Sequence, residues 1–346
     1  MEDDGAGTAQ TTQAAANLGQ TVAAQGMRAG DTGCPPTRVK LIFNSGSGAA
    51  AESPSQLLAV ISEMQAWNLI PEIHLVQAET DLAPVIHEAL HHGIRLVVVS
   101  GGDNTVDSVA AALVGKRATL GIVPTGRRNN LAMALGIPRD IPAAVALLRT
   151  GKAIKMDMGF ATCGEIERPF VESCSVGLIA ALFPAADDIQ HGNLGRIGEF
   201  MATLAGYPLI EMSISLNNKK RINCRGHGVL ITNVPFVGPN WLVADNASLD
   251  DGRLDVLVLA ETSKLDLLGR ALQPNSSTLS DWPIQHHRVA RVSVETDPLV
   301  SVMTDGTPCE AGPVQARIQR HAVTIISGAA AHHHWFASRH GQPGMP

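Results

Sequence analysis

Three short stretches combine glycines, small residues and hydrogen-bonding side chains in the way that phosphate handling requires. They are Asn44-Ser45-Gly46-Ser47-Gly48, Gly101-Gly102-Asp103-Asn104-Thr105 and Pro124-Thr125-Gly126-Arg127-Arg128-Asn129-Asn130. Paired glycines let backbone approach a ligand closely, and the N–H groups at a helix start attract an anion. Thr105 is placed to cap a helix over 106–113. Two glycines alone make an ordinary tight turn, and the added carboxylate of Asp103 and the cap turn the reading toward a phosphate loop. Two further acidic turns, Asp250-Asp251-Gly252 and Thr304-Asp305-Gly306-Thr307, are commonplace taken singly. Together with Asp103 they supply carboxylates of the kind that phosphoryl transfer uses near a nucleophilic hydroxyl and around magnesium.

The elements that must position these loops follow from hydrophobic period. Residues 38–43, 71–76, 94–99 and 119–123 are short runs rich in Val, Ile and Leu, suited to strands buried on both faces. Helical spacing at Leu57, Leu58, Val60, Ile61, Met64 and Trp67, and again over 81–91, alternates with them. This alternation predicts a three-layer α/β domain over 37–150 with a parallel sheet, right-handed crossovers and ligands at the carboxyl ends of the strands. All three loops fall on that edge. His74, His87, His91 and His92 are expected to face solvent.

From Lys152 onward the period changes to two. Strands are expected at 153–160, 170–176, 211–216, 221–224, 229–233, 254–259, 289–295 and 314–319, with Asn217-Asn218 as a hairpin turn and helices only at 195–206 and 262–272. A mostly antiparallel β-sandwich over 151–320 is the expected second domain, with 321–328 returning to the first. Residues 1–36, rich in Ala, Gln, Gly and Thr, read as a disordered leader, and 329–346 as a tail whose His332-His333-His334 lacks further metal ligands.

Composition narrows the function. A net charge of -6 and 3% aromatic residues argue against a nucleic-acid partner, which would call for basic patches or stacking rings. The five cysteines, Cys34, Cys163, Cys174, Cys224 and Cys309, show no C-x-x-C spacing and suggest reduced thiols in a cytoplasmic protein. No apolar run of about 18 residues suggests a membrane span, so contact with a membrane is expected to be peripheral. A Gly-Lys-Ser/Thr phosphate loop is missing, and Gly46-x-Gly48 is incomplete as a dinucleotide fingerprint.

Taken together, these motifs resemble the diacylglycerol kinase catalytic-domain family of bacterial lipid kinases, related to sphingosine and ceramide kinases. The resemblance runs from about Val39 to Ser327 and rests on the three loops, on Asp157-Met158-Gly159, on Asp251-Gly252-Arg253-Leu254-Asp255-Val256 and on Asp305-Gly306. It implies ATP bound between two domains, magnesium as cofactor, a lipid hydroxyl at the membrane surface as acceptor, and a structural metal near Asp251. On that footing Asn44, Ser45, Gly101, Gly102, Asn104, Thr105, Gly126, Arg127 and Asn129 are expected at the nucleotide. Asp103 and Asp305 are expected at the catalytic centre, one as general base and one in the magnesium network, each in a turn whose substitution spares the fold. The chain departs from the family pattern where Gly, Thr and Glu are usual: here stand Asn104, Arg127 and Thr307. Asn104 is read as tolerating a left-handed backbone, Arg127 as clamping or blocking phosphate, and Thr307 as removing a carboxylate. The expected activity is an ATP-dependent lipid kinase acting on a diacylglycerol-like or sphingoid lipid, with a homodimer allowed. The alternative is a non-catalytic nucleotide- or lipid-binding homologue, and a third reading is another Gly-Gly-Asp kinase such as an NAD kinase.

Overall fold

The computed structural model describes residues 35–46, 53–77, 80–190, 192–237, 241–242, 247–260, 263 and 284–328. Ser47 and Gly48 of the first loop, most of the leader, the helix expected over 262–272 apart from residue 263, and the histidine tail lie outside them. Two compact units are formed, one by the described residues up to Ile154 with those from Thr324 on, the other by Lys155–Val323.

In the first unit β1 (Thr37–Phe43), β2 (Leu69–Leu75), β3 (Leu96–Gly101) and β4 (Thr119–Pro124) alternate with α1 (Ser53–Ala66), α2 (Ala83–His91) and α3 (Asp103–Leu113), and α4 (Asn130–Ala134) and α5 (Ile141–Thr150) follow. The strands are parallel in the order β4-β3-β1-β2, with Leu41 opposite Val98 and Val98 opposite Gly121. Val97, Val98 and Val99 are all 0% exposed, so successive side chains are buried on both faces of the sheet. Each such burial contributes about 1.5–3 kcal/mol relative to an exposed side chain. Helices α1 and α5 pack together, as do α2 and α3, the pairing expected when right-handed crossovers place helices on both faces. Asp140 caps α5 by accepting a bond from Ala143 N at 3.0 Å.

The second unit is a β-sandwich. It is built from β5 (Lys152–Cys163), β6 (Ile166–Phe170), β7 (Ser173–Gly177), β8 (Ile210–Leu216), β9 (Lys220–Thr232), β12 (Leu254–Ala260), β13 (Gln285–Val289), β14 (Arg291–Asp297), β15 (Val302–Thr304), β16 (Thr307–Cys309) and β17 (Val314–Ser327), beside a separate small pair, β10 (Phe236–Val237) with β11 (Trp241–Leu242). Its core gathers Phe170, Val176, Ile214, Ile231, Val256, Val292 and Val314. Strand β9 pairs with β8 along its first half and lies between β7 and β12 along its second. The change occurs at Gly226 and Gly228, and a Cβ at Gly228 would meet Val176 O at 2.1 Å. Asn217 and Asn218 both adopt positive φ (51° and 55°), which makes the β8–β9 turn the twisted kind that suits a hairpin.

Several expectations need correction. Helix α6 (Leu178–Gln190) was not anticipated, because Pro184 interrupts its helical pattern and no polar cap announces it. With α7 (Ile197–Gly206) it covers a second apolar cluster, Leu178, Leu204, Leu230, Leu257 and Leu259. The stretch expected as one strand over 170–176 is broken at Val171–Glu172, and that over 289–295 is two strands meeting at Ala290, whose N–H and that of Arg291 donate to Asn217 Oδ1. In contrast, 314–319 and 322–327 are one strand, bent at His321 (φ 54°), whose end pairs with β4 at Thr324–Thr119. His74 is half-buried rather than exposed.

Candidate functional site

The three loops of the first unit meet. Asn44, at the end of β1, donates from its backbone to Ser100 O at 2.9 Å and from Nδ2 to Thr105 Oγ1 at 2.8 Å, while its Oδ1 accepts from Gly46 N at 2.9 Å. Gly101 O accepts from Thr125 N and Gly126 N at 3.2 and 3.3 Å. Backbone meets backbone here: a Cβ on Gly126 would lie 2.4 Å from Gly102 Cα, so no residue but glycine fits between the loops without moving one of them. Ser45 is exposed beside this junction.

Thr105 is not the helix cap. The cap position is Gly102, which supplies no side-chain bond, and Thr105 is buried in the first turn with its hydroxyl taken by Asn44. The helix therefore begins with N–H groups that have neither an intrahelical acceptor nor a side-chain cap, the arrangement that receives an anion. Asn104 lies inside α3 and outside the left-handed region, so the account of that departure from the family pattern changes: an ordinary helical position accepts Asn without strain.

Asp103 does something other than wait for a proton. Its Oδ2 accepts from Asn129 N at 3.0 Å and its Oδ1 from Asn130 N at 2.8 Å, and Arg128 Nε stands 3.8 Å from Oδ2. The carboxylate thus pins the third loop to the start of α3. Asn129 completes the lock in the left-handed conformation (φ 57°), donating from Nδ2 to Gly126 O at 2.6 Å. Arg139 donates to both Arg127 O and Arg128 O at 2.8 Å, and Arg127 itself is exposed. The Arg128 side chain consequently borders an uncapped helix start.

In the second unit Asp305 sits in the β15–β16 turn. Its Oδ2 accepts from Val171 N at 2.6 Å and its Oδ1 from Glu172 N and Ser173 N at 3.0 and 2.8 Å. These three consecutive N–H groups explain the break in the strand expected there, since they turn away from a ladder to face one carboxylate. Thr307 is exposed at the start of β16. Asp103 and Asp305 belong to different units, and each anchors backbone within its own. Both corrections bear on substitution: an amide would set NH2 against an N–H at either place, so neither position is neutral for the fold.

Asp157 belongs to a motif of the resemblance, but the sequence assigns it no role of its own. It is 1% exposed, and its two oxygens accept from Gly252 N at 2.6 Å and His321 N at 2.7 Å, tying the Asp250–Gly252 turn to the bend in β17. The residues at Asp251 do not fit a structural metal. Arg288 NH2 pairs directly with Asp251 Oδ2 while its Nε lies 3.5 Å from Asp255 Oδ1, so a guanidinium stands where a cation would bind. Asp251 Oδ1 accepts from Arg253 N at 2.9 Å, and His286 Nε2 is 2.6 Å from Asp255 Oδ1. Burial raises the Asp251 carboxyl above the ordinary range, outweighing Arg288. Among the described residues no group of three or more His, Cys, Asp or Glu is arranged to hold a metal ion. The same holds at Asp103, whose oxygens already face two N–H groups and Arg128.

Residues 38–161 match the diacylglycerol kinase catalytic domain, and residues 174–327 match the YegS C-terminal NAD kinase beta sandwich-like domain. The chain is 29% identical over 246 residues to the uncharacterized protein sll0036 of Synechocystis, covering 68% of this chain but only 55% of that relative. It is 32% identical over 240 residues to a probable lipid kinase YegS-like of Serratia proteamaculans, covering 68% and 76%. A crystal structure of a putative diacylglycerol kinase from Bacillus anthracis superposes with a TM-score of 0.70 at 23% identity, over 85% of this chain and 96% of that one.

Proposed function

This chain belongs to the family of YegS-like lipid kinases that carry the diacylglycerol kinase catalytic domain, and from that premise we propose that it transfers the terminal phosphate of ATP to the hydroxyl of a diacylglycerol-like or sphingoid lipid. The observation that carries this reading is the uncapped start of α3, held against Gly126 by a contact that excludes any side chain and bordered by Arg128. Phosphate oxygens would be received by the N–H groups of Asp103 and Asn104, with Ser45 and Arg127 as further donors. A charged hydrogen bond of this kind contributes roughly 1.5–3 kcal/mol.

Asp103 acts in this reading as a positioning residue. It keeps the Asn129–Asn130 backbone and Arg128 in place, so that donors are fixed before the nucleotide arrives. Asp305 is the candidate general base for the acceptor hydroxyl, its carboxylate aimed by the N–H groups of 171–173. Magnesium would enter as the counter-ion of the nucleotide, which it binds through phosphate oxygens and water. Asn104 gives no support to a non-catalytic reading, since it stands at an ordinary helical position. No helix among the described residues is long and apolar enough to cross a membrane, so the acceptor would be met by peripheral binding.

The test is transfer of label from γ-labelled ATP by the purified chain to a panel of diacylglycerol, ceramide and sphingosine in mixed micelles, with NAD and glycerol as controls. Label extracted with one of the lipids is the expected result. Label found only in NAD, or in no acceptor while ATP is bound, overturns the proposal.

A further inference from the structure

Strands β8, β9, β14 and β17 turn alternate residues inward, Met212, Ile214, Ile222, Val292 and Val314 among them, so the residues between these make an outward face. That face carries Arg221, Arg225 and Arg291, all exposed, and the half-buried Arg317. Three acids meet these arginines, and each is taken. Arg225 Nε lies 2.9 Å from Glu211 Oε1, Arg221 NH2 lies 3.6 Å from Glu295 Oε2, and Arg317 donates to the two Glu167 oxygens at 2.9 and 3.0 Å. Arg291 is different. The strand register sets it directly opposite Arg317, and facing like charges weaken a sheet. Its backbone also receives the β8–β9 turn: Arg291 O accepts from Asn217 N at 2.9 Å, and Arg291 N donates to Asn217 Oδ1 at 3.0 Å. The turn thereby brings the exposed Lys219 and Lys220 to the same corner. Among the described residues no acid pairs with Lys219, Lys220 or Arg291, in a chain whose net charge is -6.

We infer that this corner, Lys219, Lys220 and Arg291 with Arg317 beside them, docks the protein on a bilayer that contains anionic phospholipid. Phosphodiester oxygens of neighbouring headgroups supply the negative charge that the corner lacks, and a bilayer presents many of them in one plane. Each cation near such a surface adds its own attraction, and salt screens all of them together. A nucleic acid also presents phosphates. Phe160, a ring at this face, is covered by the Arg317 guanidinium at 4.5 Å and cannot stack on a base. The reason for a bilayer partner rests on the lipid-kinase reading, because the acceptor lipid resides there. The docking itself needs neither ATP nor acceptor.

The test is co-sedimentation of the full chain, without nucleotide, with vesicles of phosphatidylcholine alone and of phosphatidylcholine mixed with phosphatidylglycerol. Retention on the anionic vesicles only is expected, weakening at least about tenfold between about 0.1 M and about 0.5 M salt. The triple variant Lys219→Glu, Lys220→Glu, Arg291→Glu should bind them at least about thirtyfold more weakly. Lys116→Glu, Arg117→Glu, Lys152→Glu makes the same change in net charge at exposed positions of the first unit and should bind within about threefold of wild type. Arg291→Glu alone sets opposite charges across from Arg317, so its melting temperature should not fall. A lower melting temperature would show that the fold, rather than a ligand, holds Arg291, and would overturn the inference. Equal retention on both kinds of vesicle, unchanged binding by the triple variant, an equal loss in the first-unit variant, or tighter binding to duplex DNA than to anionic vesicles overturns it as well. Label transfer to micellar lipid without vesicle binding sinks this inference alone, and vesicle binding without label transfer sinks the kinase reading alone.

Discussion

Asp103 and Asp305 solve the same local problem in two different settings. Each carboxylate gathers N–H groups of consecutive residues, two from Asn129–Asn130 in the first case and three from Val171–Ser173 in the second. Around Asp103 the neighbours are glycines in backbone contact, an uncapped helix and Arg128; around Asp305 they are a strand break and a core containing thiols. The first seat holds a loop against an uncapped helix start, whereas the second holds a short hairpin onto the sandwich. An acidic residue before glycine therefore says little about its role until the N–H groups it faces are known.

The largest expected effects come from exchanging these carboxylates for amides. Asp103→Asn should lower phosphate transfer by about a hundredfold or more, since small displacements of positioned donors cost that much. Its unfolding free energy should fall by about 1–3 kcal/mol for a loop N–H left facing NH2. Asp305→Asn should lose transfer as well, with a greater fall in stability because three N–H groups are affected instead of two. Urea unfolding of both variants checks the order. If Asp103→Asn is the more destabilised, the contrast between an anion seat and a hairpin anchor fails.

A smaller effect concerns the turn near Asp251, where an internal guanidinium stands in for a cation. Burial raises Asp251 above its ordinary value of 3.8. A raised carboxyl gives its full contribution below the ordinary value and loses it as pH rises through the folded value. Stability of Asp251→Asn relative to wild type should accordingly shift in the variant's favour between about pH 4 and pH 7. Thermal melts across that range measure it, and a shift in the opposite direction would mean that Arg288 outweighs burial.

The smallest effect belongs to Asn104→Gly, which restores the usual family residue. At a helical position it should cost no more than about 1 kcal/mol in stability and leave nucleotide affinity within about twofold. A large gain in affinity would mean that Asn104 impairs the nucleotide site.

How much of this was legible in the sequence depended on distance along the chain. The runs ending at Phe43, Val99 and Val123 announce buried strands by composition, and the glycines after them announce loops, because both signals are local. Asp103 lies 27 residues from Asn130 N, and its partner loop was still recognisable as a loop. Asp305 lies 134 residues from Val171, so nothing local could reveal that 171–173 would leave the ladder to meet it. The burial of Asp157 and the guanidinium at Asp251 were hidden in the same way. Helix α6 was missed for a different reason, since Pro184 sits inside it and its first turn is wholly apolar.

The central claim is that the glycine contact between Gly102 and Gly126 builds the phosphate site, and equilibrium binding of ATP to wild type and to Gly126→Ala tests it most directly. An added Cβ would overlap the Gly102 backbone at 2.4 Å and drive the loops apart. The account expects the variant to stay folded by circular dichroism and to bind ATP at least about a hundredfold more weakly, a loss of roughly 2.7 kcal/mol. A folded Gly126→Ala chain that binds ATP as tightly as wild type would contradict it.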